Sequence, residues 1–102
     1  MSSGCLGFLE ELDRLIEQRA RELPEGSYTA KLLQDPALAA RKLGEEAAEA
    51  MVEALAGTRE RLVEEAADLL YHLMVVLRLR GASLCDVARA LEARAGWRRG
   101  WQ

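Results

Sequence analysis

Two acidic motifs are the parts of this 102-residue chain whose residue types and spacing suggest chemistry. The first is GEEAAEAMVEAL at 44–55, in which Glu46 and Glu49 stand three positions apart. In the second motif, Glu65 and Asp68 have the same spacing. At about 100° per residue, each pair places its carboxylates one turn apart on the same side of a helix. Because Asp68 lies within the apolar run AADLLYHLMVV, we expect it to lie near the core.

Such rows of like charge are unfavourable unless a cation binds them. Each like-charged pair costs an isolated helix about 0.2–0.5 kcal/mol, and the cost rises where several carboxylates converge away from water. Magnesium takes oxygen ligands and keeps water molecules that can contact substrate phosphates. Carboxylates with no thiolate and at most one histidine favour Mg²⁺ or Mn²⁺ over zinc. The motifs therefore predict a magnesium site, with Mn²⁺ as an alternative. Glu-rich helix faces also occur as plain solvated surfaces.

The composition limits both the fold and the partners. Half of the residues are apolar, 30% are charged, and glycine, proline and aromatic residues are few, which favours an all-α soluble domain. The net charge of −3 gives no general attraction to nucleic acid or to membrane surfaces. There is no signal-peptide pattern, and the most apolar stretch, 69–79, is too short to span a bilayer. Cys5 and Cys85 form no metal motif, so we expect a cytoplasmic protein with reduced cysteines.

Start and stop signals divide the chain into about four long helices. The predicted helices cover about 9–23, 36–56, 58–80 and 83–95. We expect Asp35, Thr58 and Ser83 to cap the last three of these helices. The segment YTAKLL at 28–33 is expected to add a short helical turn, and Gly57 to end the second long helix.

Short connections between four helices predict an antiparallel bundle in a single domain, 1–102, with a core over 9–95 and a loosely ordered tail at 96–102. The turn after Ala56 would make the second and third helices antiparallel neighbours, so that the two acidic pairs face each other. Between Leu69 and Leu77 the third helix is apolar on nearly every side. One chain has too few helices to surround it, so we expect a two-fold dimer to complete the bundle.

These residues resemble a known family. The motif EExxE (Glu45, Glu46, Glu49) followed by ExxD (Glu65, Asp68) is the signature of the all-α, MazG-like nucleotide pyrophosphohydrolases. More specifically, four segments resemble phosphoribosyl-ATP pyrophosphohydrolases: SYTAKLL at 27–33, RKLGEEAAE at 41–49, EAADLLYHLMVVL at 65–77 and GASLCDVARALEAR at 81–94. The resemblance covers about 9–95.

The resemblance implies hydrolysis of phosphoribosyl-ATP to phosphoribosyl-AMP and pyrophosphate, the second step of histidine biosynthesis, with Mg²⁺ and in a homodimer. The carboxylates that it assigns as metal ligands are Glu46, Glu49, Glu65 and Asp68. Glu45 would support these ligands or orient water. The substrate contacts that it implies are Lys42, for a phosphate, together with Arg19, Tyr28, Thr29 and Lys31. Without such a role, Arg19 and Lys31 would be solvated surface and Tyr28 a packing residue.

Two other functions fit the same residues. The chain could be a related pyrophosphohydrolase that acts on another nucleoside triphosphate, including the canonical dNTPs. Alternatively, it could be a non-catalytic helical dimer whose acids form a solvated face. His72, the only histidine, is expected to be a hydrogen-bonded core or interface residue rather than a ligand. In the tail, Trp97 and Trp101 are expected to be frayed or to anchor packing rather than to stack on a base.

Overall fold

The computed structural model describes residues 4–94, and every regular element in that range is helical. A 3-10 turn at Gly4–Leu6 precedes five α-helices: α1 (Gly7–Glu22), α2 (Tyr28–Leu33), α3 (Pro36–Ala56), α4 (Arg59–Leu79) and α5 (Leu84–Ala93). The all-α prediction is confirmed, and α3 begins and ends at the predicted residues. The expected short turn is helix α2. The predictions for the tail lie outside the described residues.

Side-chain caps define where three of the helices begin. Asp35 and Thr58 each accept a hydrogen bond from the backbone amide three positions further on. Ser83 and Asp86 form a complete capping box at the start of α5. Each cap satisfies amide groups that a helix start leaves without partners. The three caps predicted from residue type are therefore confirmed.

A small apolar core joins the first four helices. Its fully buried members are Ile16, Leu32, Ala39, Met74 and Val75. Burial of one such large aliphatic side chain stabilises the fold by about 1.5–3 kcal/mol. Because α4 supplies two of these residues, it is the central helix of the core. Helix α5 packs against the edge of this core through Leu84.

Helices α3 and α4 form the principal pair and are joined by a two-residue connection. Across this turn, Arg61 Nε lies 3.2 Å from Glu53 Oε2. Gly57 closes the turn in extended backbone rather than in the left-handed conformation of the usual glycine cap. A Cβ at Gly57 would collide with the Glu53 carboxylate and lie 2.9 Å from the Glu53 Cα. The turn therefore needs glycine for space, and its shortness fixes the antiparallel register of the two acidic motifs.

Candidate active site

Three carboxylates converge between α3 and α4. Glu46 and Glu49 from α3 and Glu65 from α4 each offer one carboxylate oxygen, and these three oxygens lie within 4.8 Å of one another. Glu46 is only 7% exposed, Glu65 is half-buried and Glu49 is open to solvent. We call these three residues the carboxylate cluster. It runs from the packed interior of the helix pair to solvent, so a ligand can approach it from one side.

Asp68 lies outside this group of oxygens. Its side chain is exposed, so the expectation of a position near the core is wrong. The apolar residues beside it in sequence lie around other sides of α4, whereas Asp68 shares the stripe of Glu65. A fourth carboxylate also gains no energy from approaching three others. Asp68 still acts electrostatically on Glu65 and therefore lies at the rim of the carboxylate cluster.

The electrostatics of the carboxylate cluster favour a bound cation. The pKa of Glu65 is raised to about 7, first because the Glu49 carboxylate can share a hydrogen bond with it. Burial and then the charges of Glu49, Glu46 and Asp68 raise it further. Glu46 Oε1 and Glu65 Oε2 are buried, and neither receives a hydrogen bond from residues 4–94. Buried oxygens without a protein donor are rare, and hard anionic oxygens are the ligands that Mg²⁺ and Mn²⁺ prefer. The donor set thus fits such a cation.

A basic edge borders the carboxylate cluster along α3. Lys42 Nζ lies 3.3 Å from Glu45 Oε1 and 4.0 Å from Glu46 Oε2, and Arg41 Nε lies 3.6 Å from Glu45 Oε2. The pKa of Lys42 is raised mainly by its hydrogen bond to Glu45 and by the charge of Glu45, with smaller contributions from Tyr28 and Glu46. Lys42 is therefore a fixed positive charge beside the carboxylates. Glu45 turns toward this lysine rather than joining the cluster.

Two side-chain hydrogen bonds join α2 to the part of α4 that follows Glu65 and Asp68. The Thr29 hydroxyl bonds to the Tyr71 hydroxyl, and the Tyr28 hydroxyl lies 3.1 Å from His72 Nε2. His72 is 6% exposed, and its Nδ1 lies 2.7 Å from the Asp68 carbonyl oxygen. The expectation that His72 is a hydrogen-bonded core residue is therefore confirmed. Tyr71 was not predicted to bear on the site, although it stands in the segment DLLYH that carries the family resemblance.

The two remaining predicted contacts form no hydrogen bond or ion pair with the carboxylate cluster among residues 4–94. Lys31 is exposed and lines a separate surface cavity of about 410 Å³ between the α1–α2 loop and the end of α2. Arg19 is half-buried near the end of α1, where its carbonyl accepts a 2.8 Å hydrogen bond from the amide of Leu23. The structure therefore does not bring these two side chains to the carboxylates.

The sequence of this chain matches one family of known proteins over most of its length. The family model for phosphoribosyl-ATP pyrophosphohydrolase matches residues 9–95, which include every described α-helix apart from the first two residues of α1. A protein of Metallosphaera sedula is 53% identical over 87 residues, which are 84% of this chain and 94% of that protein. Proteins of Caulobacter vibrioides (50% identity, 94% of this chain and 90% of that protein) and Cereibacter sphaeroides (51%, 86% of each) are similarly close. All three carry the name phosphoribosyl-ATP pyrophosphatase.

Proposed function

The chain belongs to the phosphoribosyl-ATP pyrophosphohydrolase family, and from this we propose that it hydrolyses phosphoribosyl-ATP to phosphoribosyl-AMP and pyrophosphate. The bond broken is the α–β phosphoanhydride, and the reaction is the second step of histidine biosynthesis. The observation that carries this proposal is the convergence of three carboxylates, with two buried oxygens that lack protein donors, inside the matched region. We place the enzyme in the cytoplasm; none of the helices between residues 4 and 94 has the length and apolar character needed to cross a bilayer.

The carboxylate cluster is proposed to hold Mg²⁺, which Mn²⁺ can replace, and Asp68 is proposed as a further ligand from the rim. When bound, the ion neutralises charge on phosphate oxygens and lowers the pKa of a bound water. Glu46 is held between the helices by packing, so it fixes one ligand position before substrate arrives. Lys42 can exchange its contacts with Glu45 and Glu46 for a substrate phosphate, because an ammonium group donates in several directions. Glu45 keeps the lysine beside the cluster.

The other substrate contacts have unequal support. Tyr28 is 46% exposed at the start of α2, which packs against the two helices that carry the proposed site, so its ring is accessible to a ligand. Arg19, Thr29 and Lys31 are proposed from the family resemblance alone. The Thr29 hydroxyl is already bonded to Tyr71, which gives it a role in holding α2 in place.

The test is an assay of pyrophosphate release from phosphoribosyl-ATP, with and without Mg²⁺, beside the same assay on canonical dNTPs. We expect metal-dependent release and a preference for phosphoribosyl-ATP. Glu46→Gln and Glu65→Gln keep side-chain shape but remove charge, and we expect each to lower kcat at least about a hundredfold. Glu64→Gln is the matched control, since Glu64 is the exposed neighbour of Glu65. Faster turnover of dNTPs would support the related pyrophosphohydrolase, and no release from any nucleotide would support the non-catalytic module.

A homodimer is also proposed. Four large apolar side chains near the α3–α4 turn are more than half exposed in the single chain: Met51, Val52, Leu55 and Val63. Leu55 is 88% exposed, which is unusual for a leucine unless a partner covers it. We expect a dimer by sedimentation at micromolar concentration and a monomer after Leu55→Lys. Leu91→Lys on α5 is the control for charge alone, and a monomeric wild type would contradict the proposal.

A further inference from the structure

The ring of His72 is fully occupied by hydrogen bonds. A backbone carbonyl can only accept, so the 2.7 Å contact with the Asp68 oxygen requires a proton on Nδ1. In a neutral imidazole, Nε2 is then the acceptor, and the Tyr28 hydroxyl 3.1 Å away must donate to it. Neither nitrogen is therefore left for a metal ion, and Tyr28 is the side chain that His72 holds by a hydrogen bond.

Tyr28 is restrained at its hydroxyl but open at its ring. The ring packs edge-on against His72, with centroids 5.9 Å apart, and is stacked on Tyr71 at 6.4 Å. Even so, 46% of the residue remains exposed. A tyrosine held by its hydroxyl loses little conformational freedom when a flat partner stacks on its exposed part. Any nucleobase can stack on an exposed aromatic ring, because every base has a flat π-face.

The position of this ring relates it to the charged groups. Tyr28 is the first residue of α2, which packs against both α3 and α4, the helices that carry Lys42 and the carboxylate cluster. Its hydroxyl also contributes electrostatically to the raised pKa of Lys42. His72, which holds the Tyr28 hydroxyl, is bonded in turn to the backbone carbonyl of Asp68, the residue at the rim of that cluster. A nucleotide whose phosphates reached Lys42 and the carboxylates would thus have its base in the neighbourhood of Tyr28.

We propose that His72 is a positioning residue for the nucleotide: by holding the Tyr28 hydroxyl, it fixes the Tyr28 ring as the stacking surface for the purine base. The identity of the nucleotide rests on the proposed function. The positioning itself rests on the hydrogen bonds and ring contacts of Tyr28 and His72.

Two amide substitutions separate the two hydrogen bonds of His72. In His72→Gln the amide reaches the position of Nε2, where its oxygen can accept from Tyr28. In His72→Asn the shorter side chain reaches only the position of Nδ1, which keeps the Asp68 contact and loses Tyr28. Tyr71→Phe is the matched control, because it removes the Thr29–Tyr71 bond between the same two helices without releasing Tyr28.

The experiment is calorimetric titration of each full-length variant with α,β-methylene-ATP in the presence of Mg²⁺. We expect His72→Asn to weaken binding about fivefold, which is the typical cost of immobilising one side chain on binding once the Tyr28 hydroxyl is released. For His72→Gln and Tyr71→Phe we expect affinities within twofold of wild type, although Tyr71→Phe lowers thermal stability. In the hydrolysis assay, His72→Asn should raise KM with little change in kcat. Because His72 is the only histidine, its ¹⁵N signals can be assigned without ambiguity, and we expect the Nδ1–H tautomer and an Nε2 shift when the analogue binds.

Several results would overturn the proposal. Equal weakening by Asn and Gln, or an equal effect of Tyr71→Phe, would reduce His72 to a packing residue. Failure of the wild type to bind the analogue, or the Nε2–H tautomer, would also refute it. If the variants bind the analogue as expected but the wild type releases no pyrophosphate from phosphoribosyl-ATP, the proposed reaction is wrong and the positioning role stands.

Discussion

Mg²⁺ binding should release a proton from Glu65. The pKa of this residue is raised to about 7 in the metal-free protein, and a carboxylate must lose its proton to act as a ligand. With that pKa, Glu65 is about 90% protonated at pH 6, about 50% at pH 7 and about 10% at pH 8. Binding should therefore release about 0.9, 0.5 and 0.1 proton at these three pH values.

Calorimetry with Mg²⁺ in two buffers of different ionisation enthalpy measures this number directly. Glu65→Gln should abolish the pH-dependent release and weaken binding, whereas Glu64→Gln should reproduce the wild type. A release that is the same at pH 6 and pH 8, or that survives Glu65→Gln, would refute the assignment of the proton to Glu65. The measurement needs no substrate, so its outcome is independent of which nucleotide is hydrolysed.

The same pKa fixes the sign of a stability effect. Because the folded-state pKa of Glu65 lies above the unfolded value of 4.5, the folded protein binds this proton more tightly than the unfolded chain. The corresponding stability is fully present below about pH 4.5 and is lost as the pH rises through about 7. The melting temperature without metal should fall as the pH rises over that interval, and saturating Mg²⁺ should make it less dependent on pH. If the melting temperature of the metal-free wild type stayed constant from pH 4.5 to 7, as we expect for Glu65→Gln, the raised pKa of Glu65 would be contradicted.

Three substitutions test the scaffold by urea unfolding. Gly57→Ala should destabilise the protein by about 1–3 kcal/mol, because its Cβ displaces the Glu53 carboxylate from the α3–α4 turn. Leu23→Gly should stabilise it by up to about 1 kcal/mol, since Leu23 has a left-handed backbone with φ of 47° that glycine adopts without strain. Asp13→Asn should cost about 1–3 kcal/mol, because the largely buried Arg78, 3.4 Å from Asp13, would lose the negative charge that pairs with it.

Each scaffold test has a result that would contradict it. Gly44→Ala is the control for Gly57→Ala, because nothing lies within 4 Å of a Cβ there and the helix should gain about 0.5–1 kcal/mol. If both alanines behave alike, the steric explanation at Gly57 is wrong. A loss of stability in Leu23→Gly would mean that the exposed leucine contributes more by packing than it loses by strain. If Asp13→Asn left the free energy of unfolding unchanged, water would be replacing the carboxylate beside Arg78.

The features predicted correctly from sequence are those set by local interactions. A cap depends on a side chain and an amide three residues away, so Asp35, Thr58 and Ser83 could be identified from residue type. Likewise, the meeting of Glu46 and Glu49 with Glu65 follows from helix periodicity and from the two-residue turn at Gly57. These arguments need no knowledge of distant packing.

The features that were missed depend on contacts between distant segments. The exposure of Asp68 could not be read from its apolar neighbours, because a short apolar run does not say which side of the helix faces solvent. The bonds of Tyr28 and Thr29 to His72 and Tyr71 join positions 44 and 42 residues apart, and no local rule specifies such pairs. The reason for glycine at the α3–α4 turn also became clear only from the Glu53 side chain, because φ there is ordinary.

These distant bonds connect two of the segments on which the family resemblance rests. Residues 27–33 and 65–77 are separate motifs in the sequence but adjoin each other in the fold, since the hydroxyls of Tyr28 and Thr29 bond to the side chains of His72 and Tyr71. The second segment also supplies Glu65 and Asp68, so α4 carries the carboxylates on one stripe and the partners of α2 beside them. Moving α2 would therefore disturb the proposed base-binding surface without displacing the carboxylate cluster, because Glu46, Glu49 and Glu65 belong to the α3–α4 pair. It follows that substitutions that release the Tyr28 ring should change KM, whereas substitutions in the carboxylate cluster should change kcat.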